Sequence, residues 1–221
     1  MNGEPSIEEL RALRARGGVI AFPTESSYGL GADPQSAAGV AAVERIKRRI
    51  EGRGDPGGPG GRKPLPVVVA DLSQLAALGI DPDSEPVRRF APHWPAPLTA
   101  VLPLRPGAPP LPAAAGERTL GVRIPGHAAL RALVAAIGPL TATSANRTGE
   151  PPLLLAREVR ALLAEAGEGE FAVVEGEAPG GPPSTLVEAV GGELRVLRQG
   201  PFPAERLLGP EPSNPRSRGE A

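Results

Sequence analysis

Apolar positions recur at two spacings along the chain, and strands and helices interleave. Ile7, Leu10 and Leu13 share one helical face, so 6–16 is predicted as an amphipathic helix. Ser6 stands as its N-cap with Glu9 three residues on, the pattern of a capping box, and Gly17-Gly18 ends it. Val19-Ile20-Ala21-Phe22 is a short continuous apolar run and reads as a buried strand. Residues 23–31 read as a hydroxyl-rich loop with two glycines. Residues 36–50 read as a second helix whose basic end lies at its C-terminus, where the helix dipole favours cations.

Further along, 65–69 and 98–104 read as strands and 73–78 and 84–91 as short helices. A Pro/Ala/Gly-rich stretch, 106–116, leads into a strand at 120–124 that stops at Pro125. A largely apolar helix at 127–137, a short strand at 140–142 and a polar loop from Ser144 follow. A helix at 156–165 and strands at 171–174, 184–190 and 194–198 complete the pattern. Alternation of this kind implies an α/β domain, a twisted open mixed sheet with helices on its surface. The domain is expected to span 1–209. A Gly/Pro-rich insertion at about 50–61 should be flexible, and the polar tail 210–221 disordered.

Composition narrows the chemistry. Of the 221 residues 40% are hydrophobic but only 3% aromatic, so aliphatic side chains must supply the core. There is no cysteine, which removes disulfides, thiolate metal sites and cysteine nucleophiles. Two histidines, His93 and His127, are too few for a multi-histidine metal centre; a hard cation held through phosphates stays open. The net charge of -1 argues against a general nucleic-acid binder but not against a local basic site. No basic stretch followed by an apolar run opens the chain and no apolar run is long enough to span a bilayer, so a cytoplasmic location without membrane contact is expected.

The residues able to do chemistry fall into separate clusters. The first, 23–31, puts Thr24, Glu25, Ser26, Ser27 and Tyr28 directly after a buried strand; a plain glycine-rich turn is the bland alternative. The second carries Arg45, Lys47, Arg48, Arg49, Arg53, Arg62 and Lys63 against Glu51 and Asp55, suited to a polyphosphate, an RNA contact or merely a solvated helix end. His93-Trp94-Pro95 reads as a rigid elbow at the core edge, and His127 as a helix cap. Thr141 to Gly149, Pro183 to Val187 and Leu197 to Gly200 add hydroxyls, Asn146 and Arg198 at strand ends, where α/β proteins place ligands. No phosphate-binding glycine loop, nucleophile elbow or pair of acids accompanies them. Catalysis would therefore come from positioning and charge neutralisation.

In order, PTESSYGLG at 23–31, KRR at 47–49 with KPLPV at 63–67, WPAPLT at 94–99, VRIPGH at 122–127, TSANRTG at 143–149, PSTLV at 183–187 and LRQG at 197–200 resemble the YrdC-like family, in particular threonylcarbamoyl-AMP synthases of the TsaC type. The resemblance runs over roughly residues 7–203 and implies a large concave basic cleft in a fold related in shape to double-stranded-RNA-binding folds. It implies condensation of L-threonine, bicarbonate or CO2, and ATP to threonylcarbamoyl-AMP and pyrophosphate, for modification of adenosine 37 of tRNA. Magnesium (Mg2+) held mainly through the phosphates, protein partners of the bacterial threonylcarbamoyl-transfer complex and a weak tRNA contact go with it.

Residue by residue, it implies that Thr24 and Tyr28 line the threonine and carbamoyl pocket and that Arg123 clamps the threonine carboxylate. Lys47 and Arg49 would bind and neutralise the triphosphate, with Lys63 beside them. Thr141, Ser144 and Asn146 would form the floor between adenylate and threonine, Ser144 and Asn146 touching the nucleotide as well. Ser184 and Arg198 would contact the nucleotide side. The chain departs from the family pattern in the insertion at 50–61, in Ala96 for a glycine, in Thr148 for a serine and in Pro183 for an acid. A paralogue that binds nucleotide or structured RNA without threonine-dependent turnover is the alternative. A carbamoyltransferase module of a hydrogenase-maturation protein is disfavoured by the lack of cysteine for the zinc-finger part of such a chain.

Overall fold

The structure, a computed structural model, describes residues 4–50, 62–147, 149–167, 169–190 and 193–208. The insertion beyond residue 50, the tail from 210 and the side chain of Arg49 lie outside the described residues.

The elements run α1 (Ile7–Ala15), β1 (Val19–Pro23), β2 (Tyr28–Gly31), α2 (Ala37–Ile50), β3 (Val67–Val68), α3 (Glu85–Phe90), β4 (Leu98–Pro103), β5 (Thr119–Arg123), α4 (Ala128–Ile137), β6 (Leu140–Thr141), β7 (Thr143–Ser144), α5 (Ala156–Ala166), β8 (Phe171–Val173), β9 (Thr185–Val190), β10 (Glu193–Arg198) and α6 (Glu205–Leu208). The expected α/β architecture with mixed strand pairing is present. The pairing divides into a four-stranded sheet ordered β7-β2-β1-β8 and a six-stranded sheet ordered β10-β9-β4-β5-β3-β6. Each mixes parallel and antiparallel neighbours.

The two sheets meet where the chain passes from β6 into β7. Thr141 N–H donates to Ala32 O at 2.9 Å, Ala142 N–H to Pro66 O at 2.7 Å, and the Thr141 hydroxyl accepts from Ala32 N–H at 3.0 Å. Backbone thus crosses backbone here. A Cβ on Gly31 would overlap Thr141 O and stand 2.9 Å from the Phe22 ring. Only a glycine fits that approach.

Strand β1 is buried along its whole length because helices cover both of its faces. Val19 and Ala21 join Val43, Ile46, Val159 and Leu163 of α2 and α5. Ile20 and Phe22 point the other way, into Leu10, Leu13, Leu130 and Val134 of α1 and α4. A third cluster, with Phe90, Trp94, Leu98, Leu102 and Leu120, fills the six-stranded sheet's side.

Local signals held where they were chemical. Ser6 and Glu9 form the reciprocal cap, Glu9 N–H to Ser6 Oγ at 3.2 Å and Ser6 N–H to Glu9 Oε2 at 2.8 Å. His127 caps α4, its Nδ1 accepting from Leu130 N–H at 3.1 Å. Trp94 stacks on Phe90 and donates from Nε1 to Leu98 O at 2.8 Å, the core-edge elbow expected.

Other expectations are corrected. The 23–31 segment is no loop throughout: Tyr28–Gly31 pairs with β1 as a hairpin, its glycines serving close packing rather than a turn. The stretch from Ser144 does not start as a loop, because Thr143 and Ser144 pair with Leu30 and Gly29. The 73–78 segment is two 3-10 turns, Leu72–Gln74 and Ala76–Leu78, since Asp71 caps the first and Gly79, at φ 78°, stops the second.

Candidate active site

A cleft of about 330 Å³ opens where β2, β3, β5, β7 and the start of β9 converge. Ligand pockets range upward from roughly 300 Å³, so it admits an amino acid or part of a nucleotide. Its walls are hydroxyls and apolar strand residues, and among the lining residues the charged ones are Arg123 and Arg198.

The hairpin turn between β1 and β2 supplies one wall. Thr24 is 4% exposed, and its hydroxyl organises the turn. It donates to Ser27 O at 2.8 Å and accepts from the N–H groups of Ser26 and Ser27 at 3.1 and 3.3 Å. Tyr28 reaches the cleft from β2, but its ring is fully buried and its hydroxyl lies 2.9 Å from both Val174 O and Gly176 O. Burial, with Glu175 nearby, pushes the phenol up to about 12. Tyr28 is therefore an anchor for the wall, with its polar end turned away to backbone carbonyls.

The last residue of β5, Arg123, brings a guanidinium into the interior end of the cleft, 8% exposed as a residue. Its Nη1 stands 3.4 Å from Glu25 Oε1. Burial pulls the guanidinium down from the usual arginine range; Glu25 opposes that and Arg198 adds to it. An arginine starts so high that it stays a cation. Both Glu25 oxygens are buried and without a hydrogen-bond partner, so the acid touches Arg123 through charge alone.

Across the cleft, Arg198 at the end of β10 donates from Nε and Nη2 to Ser184 O at 3.1 and 2.9 Å. Burial lowers its pKa too. Ser184 Oγ is 2.7 Å from Thr99 Oγ1, both side chains lining the cleft. Ser144 brings a hydroxyl-bearing residue to the open side.

The structure thus gathers Thr24, Tyr28, Arg123, Ser144, Ser184 and Arg198 around one space. It sets others apart. Thr141 is fully buried and engaged at the sheet junction. Lys47 reaches from α2 to the rim, its Nζ donating to Ser144 O at 3.0 Å and Asn146 O at 2.9 Å. Asn146 braces the same loop, its Nδ2 donating to Arg147 O and Glu150 O. Lys63 is exposed and does not line the cleft. Among contributors that had gone unassigned are Thr99, inside the quoted WPAPLT segment, and the Glu25 counter-charge, visible beforehand only as the one acid in its cluster.

With this geometry in view, comparison with known proteins decides the family. The model of the Sua5/YciO/YrdC family, described as telomere recombination, matches residues 12–200. The chain belongs to this family. It is 38% identical over 189 residues to a threonylcarbamoyl-AMP synthase of Chromohalobacter salexigens, covering 84% of this chain and 93% of that protein. Among solved structures it is similar to P. abyssi Sua5 complexed with L-threonine, with a TM-score of 0.72 and 29% identity over 94% of this chain. The chain spans 59% of that longer protein. It also shares its fold with E. coli YciO, with a TM-score of 0.70 at 22% identity over 91% of this chain and 92% of that one. The chain is thus a homologue of the threonylcarbamoyl-AMP synthases, and that homology supports a general nucleotidyltransferase activity.

Proposed function

We propose that the chain condenses L-threonine, bicarbonate or CO2, and ATP into threonylcarbamoyl-AMP with release of pyrophosphate. The threonine nitrogen bonds to the carbon of CO2 and loses a proton. An oxygen of the resulting carbamate then attacks the α-phosphorus, and the bond to pyrophosphate breaks. The observation that carries this reading is the presence in one cleft of two cations, the buried Arg123 and the more exposed Arg198, among hydroxyls. Arginine's forked donors match carboxylate and phosphate oxygens. Arg123, deeper and next to Glu25, takes the amino-acid carboxylate, and Arg198 with Ser184 takes the nucleotide. Lys47 meets the triphosphate from the rim, Arg49 and Lys63 are assigned to the same triphosphate, and Ser144 and Asn146 come between the two substrates.

No histidine lines the cleft, and its hydroxyls have no base beside them among the described residues, so the reading needs no covalent intermediate. No three His, Cys, Asp or Glu side chains cluster among the described residues. Magnesium enters this proposal as a companion of the triphosphate, with no step assigned to it. Delivery of the product to a tRNA-modifying protein complex, with a weak contact to tRNA, in the cytoplasm, completes the proposal.

The test is pyrophosphate release from ATP by the purified chain. Release should require threonine and bicarbonate together. Release without threonine, or equal release with serine, would refute the reading. Binding of structured RNA with no turnover would favour a non-synthase member of the family.

A further inference from the structure

Glu25 is a buried carboxylate with both oxygens shielded from solvent, no hydrogen-bond donor among the described residues, and one charged neighbour at 3.4 Å, Arg123. In the water-poor interior such a charge acts at short range with little screening. Its oxygens are not exposed to the cleft, so it influences a ligand through its field and not through contact. The arrangement fixes a local dipole, negative at Glu25 and positive at Arg123, whose positive end lines the cleft.

A ligand on Arg123 feels both charges. A simple carboxylate is attracted by Arg123 and repelled by the neighbouring Glu25. A zwitterion carries a cation a few bonds from its carboxylate, and that ammonium gains from Glu25 what the carboxylate loses. An amino acid can lie against the buried pair as an opposed dipole. Without the acid, Arg123 and Arg198 would make the cleft a general anion trap, open to phosphate and to organic acids.

We propose that Glu25 makes the Arg123 subsite selective for a zwitterionic amino acid over a simple carboxylate anion. The inference rests on the assignment of Arg123 to the amino-acid carboxylate. Glu25 acts here as a specificity-determining residue and need not touch the substrate.

The experiment is calorimetric binding to the full chain of two probes, L-threonine and 3-hydroxybutyrate, which keeps the carboxylate and hydroxyl but lacks the amine. Wild type should prefer threonine. Glu25→Gln keeps the shape and removes the charge; it should weaken threonine about tenfold and tighten 3-hydroxybutyrate severalfold, the opposite signs marking a charge effect. Glu25→Asp keeps the charge and should keep the wild-type order. A role limited to propping Arg123 would weaken both probes in Glu25→Gln, and that result overturns the inference. So does a reversed preference in Glu25→Asp, which serves as the test if Glu25→Gln does not fold. If wild type makes pyrophosphate with threonine while Glu25→Gln leaves both affinities unchanged, this inference falls and the synthase reading stands. If wild type binds threonine no better than 3-hydroxybutyrate, the inference falls whatever the variants do. If it neither binds threonine nor turns it over, both fall.

Discussion

Replacing Gly200 by alanine tests how the nucleotide side of the cleft is held. Gly200 lies just after Arg198 and against the start of β9. A Cβ there would stand 2.5 Å from Thr185 N and 2.6 Å from Ser184 C, and closer still to Pro183 O. Ordinary contact begins near 3.4 Å, so relief of the closest contact needs a shift of just over an ångström. All three obstacles are backbone, with no flexible side chain to give way. Gly200 N–H also donates to Thr185 Oγ1 at 3.0 Å, and that hydroxyl donates to Phe202 O at 2.7 Å. Overpacking costs about 1–3 kcal/mol, and a backbone clash belongs at the upper end, about 3 kcal/mol. For a chain this long that lowers Tm by roughly 6–12 °C. The displaced Ser184 would also release Arg198 and Thr99, so ATP binding should weaken more than threonine binding. Urea unfolding followed by circular dichroism measures the first effect and calorimetry the second. Gly126→Ala is the control, since nothing lies within 4 Å of a Cβ there; it should stay within about 0.5 kcal/mol of wild type. If Gly200→Ala matched that control, the steric account of this wall would be wrong.

Two further outcomes follow from the same contacts. Tyr28 is the only tyrosine, so an ultraviolet difference titration reads it alone, and the native protein should hold the phenol protonated until about 12. Burial favours the neutral form, so the folded pKa lies above the unfolded value of about 10. The stability this contributes is whole below about pH 10 and declines as pH rises from there through about 12; ionisation near 10 in the native state would contradict the buried placement. Lys47→Ala removes charge-assisted bonds to Ser144 O and Asn146 O, each worth about 1.5–3 kcal/mol. It should raise the KM for ATP and slow turnover, and an unchanged rate at low ATP would place the phosphates elsewhere.

What the sequence made legible was whatever one stretch of chain decides for itself. The Ser6–Glu9 cap, the amphipathic α1, α2 and α5, and the apolar run of β1 each follow from neighbours in sequence. The strands at β2 and β7 were not legible because they are set from far away. Tyr28-Gly29-Leu30-Gly31 has half the side chains a strand pattern needs, and its glycines exist to let Phe22 and the Thr141 carbonyl approach. Two residues at Thr143-Ser144 carry no period at all; they pair only because β2 is there. Misreading those segments as loops still located the site, since hydroxyls and glycines drew attention to them either way.

The same distinction separates the site residues. Arginines, serines and threonines at strand ends marked the cleft, but residue type cannot say which way a polar group is turned. Tyr28 and Thr141 were expected at a ligand, and the structure shows their hydroxyls used at Val174, Gly176 and Ala32. Glu25 shows the reverse. As one acid among hydroxyls it carried no spacing signal, and its partner lies on another sheet. Its importance comes from burial beside Arg123 with no donor to satisfy it, a condition that appears only once the two sheets have closed around the pair. A motif can thus identify where charge gathers, while the sign and direction of the field a ligand meets are properties of the folded chain.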